Sequence, residues 1–130
     1  MEMYEVRSDK KKNRIYITIG KVEDESEMVA IVDAVKRECK RLKPGFTCLT
    51  DLRRYYLQDE KYEKYIKQAQ KILVEAGLFK VVRVRRELGG LAHFQFDNAS
   101  YEIGYHAESV TDLEEAEKML NEEVAKNPPA

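Results

Sequence analysis

Along "RIYITIG" (Arg14 to Gly20) apolar and polar side chains alternate without a break. Ile15, Ile17 and Ile19 share one face, and Tyr16 and Thr18 share the other. A period of two is the signature of a half-buried strand. Met3 to Ser8 reads as a short strand ahead of it, and the polar run "DKKKN" (Asp9 to Asn13) between them predicts a hairpin. The period then changes. In "VEDESEMVAIVDAVKRECKRLKPG" the residues Met28, Ile31, Val32, Val35, Cys39 and Leu42 form one apolar stripe at helical spacing. Asp24 and Glu27 form a capping box at its start. Lys40, Arg41 and Lys43 gather at the negative end of the helix dipole, and Pro44-Gly45 ends it.

The same reading continues to the end of the chain. "FTCLTDL" is a strand, and Asp59 is placed to cap the helix after it. That helix turns Tyr62, Tyr65, Ile66, Ala69, Ile72, Leu73 and Ala76 to one side and stops at Gly77. "LFKVVRVRR" is a strand in which Val82 and Val84 face away from Arg83 and Arg85. Gly89-Gly90 breaks the chain, Leu91 to Ile103 reads as a helix, and "YHAESV" is a short strand. Thr111 and Glu114 open a last helix with Leu113, Ala116, Leu120 and Val124 inward. The predicted order is β-β-α-β-α-β-α-β-α.

Successive β-α units imply parallel strands joined by right-handed crossovers. If each crossover steps to the next neighbour in one direction, its helix falls on the same face as the others. Parallel strands buried on both faces read as continuous apolar runs. These strands do not, because Tyr16, Thr18, Thr47, Arg83, Arg85, and His106 or Glu108 make a mixed polar set. The expected fold class is therefore α/β, in two layers. A mixed, mostly parallel five-stranded sheet with an N-terminal hairpin strand carries its helices mainly on one face. The other face is expected to be partly open, with Tyr16, Thr18 and Arg83 as candidate interface residues.

Composition narrows the picture. A chain of 130 residues is read as one domain over 1–125, with 126–130 as a disordered tail. At this size roughly two-thirds of the unfolded surface is buried, so no disulfide or metal staple is needed. Acids and bases nearly cancel to a net charge of −1, so no global field favours nucleic acid. No apolar run approaches twenty residues and no signal pattern is seen, so membrane insertion is not expected and the reading is cytoplasmic. Cys39 and Cys48 fit that compartment as buried thiols.

"RIYITIG" before the first long helix, "CLTDLR" at the end of the next strand and the closing "GYHAESVTDLEEAEKML" together resemble the STAS superfamily, in its SpoIIAA-like branch. The resemblance covers nearly the whole chain. It implies a right-handed β-α superhelix and a non-catalytic regulatory or protein-interaction role, as in anti-sigma factor antagonists. Those proteins are switched by phosphorylation of a serine at the start of the helix after a "D-L-S" strand. Asp51 and Leu52 match the first two positions and Arg53 stands at the third. The stretch for the phosphoacceptor reads Gln58-Asp59-Glu60, with no hydroxyl. A carboxylate there is ordinary capping chemistry.

The candidate binding residues follow from position. Asp51, Arg53 and Arg54 lie just past the carboxyl end of a strand, where open α/β sheets bind ligands. They are read as a small-anion site or, more simply, as Asp51 pairing with an arginine to fix the loop. Arg85, Arg86, Gly89 and Gly90 occupy the equivalent place one unit later and are read mainly as a flexible turn. Tyr62 and Tyr65 belong to a core stripe, whereas Tyr55 and Tyr56 have no periodic role and are the candidate recognition tyrosines. His93 and His106 lie on different elements without a metal or base partner pattern. No G-x-S-x-G, H-E-x-x-H or cysteine–histidine pairing is present, so no catalytic residue, metal or cofactor is expected. The expected partner is a protein or a second copy of the chain, giving a homodimer. The alternatives are a small anionic ligand, an apolar one as in the related lipid-transfer group, and, least favoured, an enzyme of unknown reaction.

Overall fold

The computed structural model describes residues 4–55, 60–87 and 107–126. The hairpin forms as its alternation requires: β1 (Tyr4–Asp9) runs antiparallel to β2 (Arg14–Ile19), with Val6 opposite Ile17. Asn13 holds the turn with a φ of 52°, in the left-handed region that asparagine tolerates. Its side chain donates to Lys43 O and accepts from Lys43 N–H, tying the hairpin to the end of the first helix.

Helix α1 (Glu25–Cys39) starts at Asp24, whose carboxylate accepts from Glu27 N–H at 3.1 Å. Glu27 reaches back to Glu23 N–H, one residue earlier than in a strict capping box. After Cys39 the chain tightens into single turns through Leu42, so the helix is shorter than its apolar stripe. Strand β3 (Thr47–Asp51) leads through one tight turn of helix (Glu60–Tyr62) into α2 (Glu63–Ala76). Gly77 ends α2 at φ 105°, with Gly77 N–H bonded to Val74 O and Leu78 N–H to Leu73 O. A Cβ at Gly77 would meet Pro44 at 2.8 Å, so glycine is needed there for approach as well as for backbone shape. Strands β4 (Lys80–Val84) and β5 (Ala107–Val110) and helix α3 (Leu113–Lys126) complete the described chain.

The sheet order is β1-β2-β3-β4-β5, with every pair after the hairpin parallel. Each crossover from β2 to β4 steps to the adjacent strand in the same direction, and right-handedness then puts α1 and α2 on one face. Ile15, Ile17, Cys48 and Val81 from the sheet pack there against Met28, Ile31, Val35, Ile66 and Leu73. This is the α/β layer pair expected from the pattern. Cys39 and Cys48 are free and buried, as expected. Burial, with the charge of Glu38 beside it, pushes the Cys39 thiol up to about 11, so it packs as a protonated small hydrophobe at neutral pH.

The reverse face departs from expectation. Among the described residues no strand follows α3, so the crossover rule does not assign it a side. Ala116 and Leu120 of α3 pack on Tyr16, Leu49, Val82, Val84 and Val110. The described helices therefore lie on both faces, α1 and α2 on one and α3 over part of the other, whereas the pattern predicts them together on one side with the reverse partly open. Tyr16 is buried there, with the Arg7 guanidinium 4.0 Å from its ring centre. Arg83 is not on that face at all. It sits beside Thr50 in register with Val81, on the α1/α2 side, and is 2% exposed. Tyr16 and Arg83 are therefore core residues, and only Thr18 of the three candidate interface positions stays half-exposed. The expected helix over 91–103, His93, His106, Asp59 and residues 127–130 lie outside the described residues; Lys126, assigned to the tail by sequence, ends α3.

A polar network pins α3 to the sheet. Arg14 is 1% exposed; its Nε donates to Thr47 Oγ1 at 2.8 Å, and its Nη1 donates to Glu117 Oε2 and to Asn121 Oδ1. Lys12 Nζ lies 3.5 Å from the same carboxylate. Burial alone would raise the Glu117 carboxyl, but the nearby Tyr16 hydroxyl and the Arg14 and Lys12 charges outweigh it and hold the group below its ordinary value of 4.5. A depressed folded pKa contributes stability that is complete above the unfolded value and is lost as pH falls through the folded one. Glu117→Gln should therefore cost about 1.5–3 kcal/mol at neutral pH, as expected for a hydrogen bond to a charged group. In urea titrations the gap between wild type and variant should close as pH falls below 4.5; a gap independent of pH would show that Glu117 is not the charged anchor of α3.

Candidate functional site

Strand β3 delivers the chain to the carboxyl edge of the sheet. Leu52 N–H bonds to Val84 O, extending the strand by one residue, and Tyr55 N–H bonds back to Leu52 O at 3.1 Å. Leu52 to Tyr55 is thus a β-turn whose two ends are buried side chains and whose tip is Arg53-Arg54. The pattern apolar-Arg-Arg-apolar follows directly: the ends anchor in the α1/α2 core while the tip projects both arginines.

Asp51 sets the turn. Its carboxylate accepts from Arg53 N–H at 3.1 Å and from Arg53 Nε and Nη2 at 3.0 and 2.9 Å. This forked pair holds Arg53, which is 43% exposed, against the strand end. It is the simpler of the two readings of Asp51, a carboxylate that fixes the loop. Asp112, just ahead of α3, adds to the negative field at Arg53. Arg54 is exposed, and its side chain has no hydrogen bond or ion pair among the described residues. Thr18, Asp51, Arg53 and Arg54 together line a recess of about 390 Å³ at the carboxyl ends of β2 and β3.

The other sequence candidates do not join this recess or lie outside the described residues. Tyr55 is not a surface residue: it is 1% exposed, packed in the α1/α2 core, and desolvation raises its phenol well above the usual range. Tyr56, Gly89 and Gly90 lie outside the described residues. Arg85 and Arg86 leave β4 beside the end of β3, so the two arginine pairs come from adjacent strand ends. Arg85 is buried, however, its N–H bonded to Val110 O, and Arg86 is exposed; neither lines the recess. Among the described residues no group of three or more His, Cys, Asp or Glu is placed to hold a metal ion, and no helix is long and apolar enough to cross a membrane.

Under the amino ends of α1 and α2 lies a second, apolar cavity of about 30 Å³, bordered by Met28, Ile31, Ile66, Leu73 and the polar groups of Gln70 and Arg83. That is room for about one or two waters. The network residues Arg14, Glu117 and Asn121 were not singled out from the sequence. Their signal was present: Glu117 and Asn121 are four apart, each next to an inward apolar residue of α3, and Arg14 alternates with Tyr16 on the same strand face.

The two ends of the turn and its tip should respond oppositely to truncation. Arg54→Ala should change stability by less than about 0.5 kcal/mol, as for an exposed side chain with no partner. Tyr55→Ala should cost about 3–5 kcal/mol through lost burial and a cavity. Equal effects in denaturant titrations would mean that the tip is packed rather than projected. No protein-family model and no curated protein matches the chain.

Proposed function

We propose that this chain is a non-catalytic binding domain of the STAS-like type, acting through contact with a partner at the carboxyl edge of its parallel strands. The observation that carries the reading is Arg54. It is a cation held at the tip of a rigid turn, unpaired among the described residues and beside a recess. Arg53 is already balanced by Asp51. The turn therefore offers one free guanidinium and the Thr18 hydroxyl to a phosphate or carboxylate on the partner. In the STAS-like motif the residue after "D-L" is serine-like; Arg53 in its place suits a domain that reads an anion rather than carrying one.

The apolar-ligand alternative finds less support. A cavity of about 30 Å³ is far below the roughly 300 Å³ of a typical small-molecule site. The test is a titration of isotope-labelled protein with inorganic phosphate, followed by amide chemical shifts. Saturable shifts should appear at Thr18, Arg53 and Arg54, and Arg54→Gln should weaken the apparent affinity about tenfold, the loss of one charge-assisted hydrogen bond. Shifts scattered over the surface, or an unchanged affinity in the variant, would remove this reading of the recess.

A further inference from the structure

Strand β1 ends the sheet, and among the described residues nothing pairs with its outer edge. Edge strands in monomeric proteins are normally blunted by charged side chains, above all lysine, or by proline, a bulge or extreme shortness. Within Tyr4–Ser8 the only such residues are Glu5 and Arg7, which are opposite in sign and so block self-pairing only in registers that set like charges against each other. The register with β2 is unbroken from Tyr4 opposite Ile19 to Asp9 opposite Arg14, and the lysines are confined to the turn after it. Glu5 and Arg7 stand on the reverse face of the strand, both exposed and 3.3 Å apart. Tyr4, Val6 and Ser8 alternate with them toward the α1 side, half-buried.

We propose that this edge is an interface with a second copy of the chain, the two β1 strands pairing antiparallel with Val6 opposite Val6 of the second copy. A two-fold axis that makes neighbouring strands antiparallel must stand normal to the sheet, so residues directly opposite share a face. Allowed registers therefore differ by steps of two. With Val6 on the axis, Glu5 faces Arg7 of the second copy and Arg7 faces its Glu5, while Tyr4 faces its Ser8. One step in either direction puts Glu5 against Glu5 or Arg7 against Arg7, and like charges directly opposite destabilise a pair. The charge pattern selects a single register and is complementary to itself, which a solvated edge does not require. The product is a continuous sheet with the α1 and α2 helices of both copies on one face. This interface is separate from the arginine turn and does not depend on its reading.

Sedimentation velocity from low micromolar to near-millimolar protein tests the proposal, with circular dichroism to confirm that each variant is folded. Wild type should associate to a dimer. Glu5→Arg should weaken association about tenfold or more, since both cross-strand pairs become repulsive. Arg7→Glu should do the same, though it also removes the contact with Tyr16. The double exchange E5R/R7E restores opposite charges in the same register and should recover the dimer. A wild type that stays monomeric throughout, a dimer indifferent to both single exchanges, or a double exchange no tighter than the singles would each overturn the proposal.

Discussion

Everything in this fold follows from the direction in which its parallel strands advance. Each step from β2 to β4 goes to the adjacent strand on the same side. A right-handed crossover then leaves its helix no choice of face. One face of the sheet is closed by α1 and α2, and the apolar alternation of β2, β3 and β4 supplies the surface they cover. The reverse face must be satisfied by something else. Helix α3, free of the crossover rule, takes that role over β3, β4 and β5, while β1 is left carrying the charged residues Glu5 and Arg7.

The seam between α3 and the sheet is narrow in apolar terms, since Ala116 and Leu120 are its buried residues. A buried guanidinium supplies what the seam lacks in area. Arg14 has an acceptor from the next strand in Thr47 and two from α3 in Glu117 and Asn121, so its charge is both paired and hydrogen-bonded. A helix displaced by one turn would leave the buried Arg14 charge without its partners.

The carboxyl edge combines rigidity with exposure. Leu52 and Tyr55 fix the turn from below, Asp51 fixes it from the strand, and the arginines occupy the only positions left to solvent. The adjacent strand end contributes Arg85 inward instead, which is why the two arginine pairs look equivalent in sequence and are not equivalent in space.

Local pattern determined a good deal here. The hairpin, the α1 cap at Asp24, the stop at Gly77 and the sequence of strand and helix types are all written in periods of two and 3.6 and in cap residues, which act over a few neighbours. The Asp51–Arg53 pair was legible for the same reason, being two residues apart. Periodicity says that two faces of a strand differ; it does not say which face meets which helix. Alternation sets Arg83 opposite Val82 and Val84 without saying which side is wet, and Tyr55 breaks a stripe, yet both are buried on the α1/α2 side. Tyr16 was assigned to an open face that α3 covers. Only the tertiary structure decided those placements, because they depend on contacts between segments such as Arg14 and Glu117, far apart in the chain, and on a terminal helix whose side no handedness rule dictates.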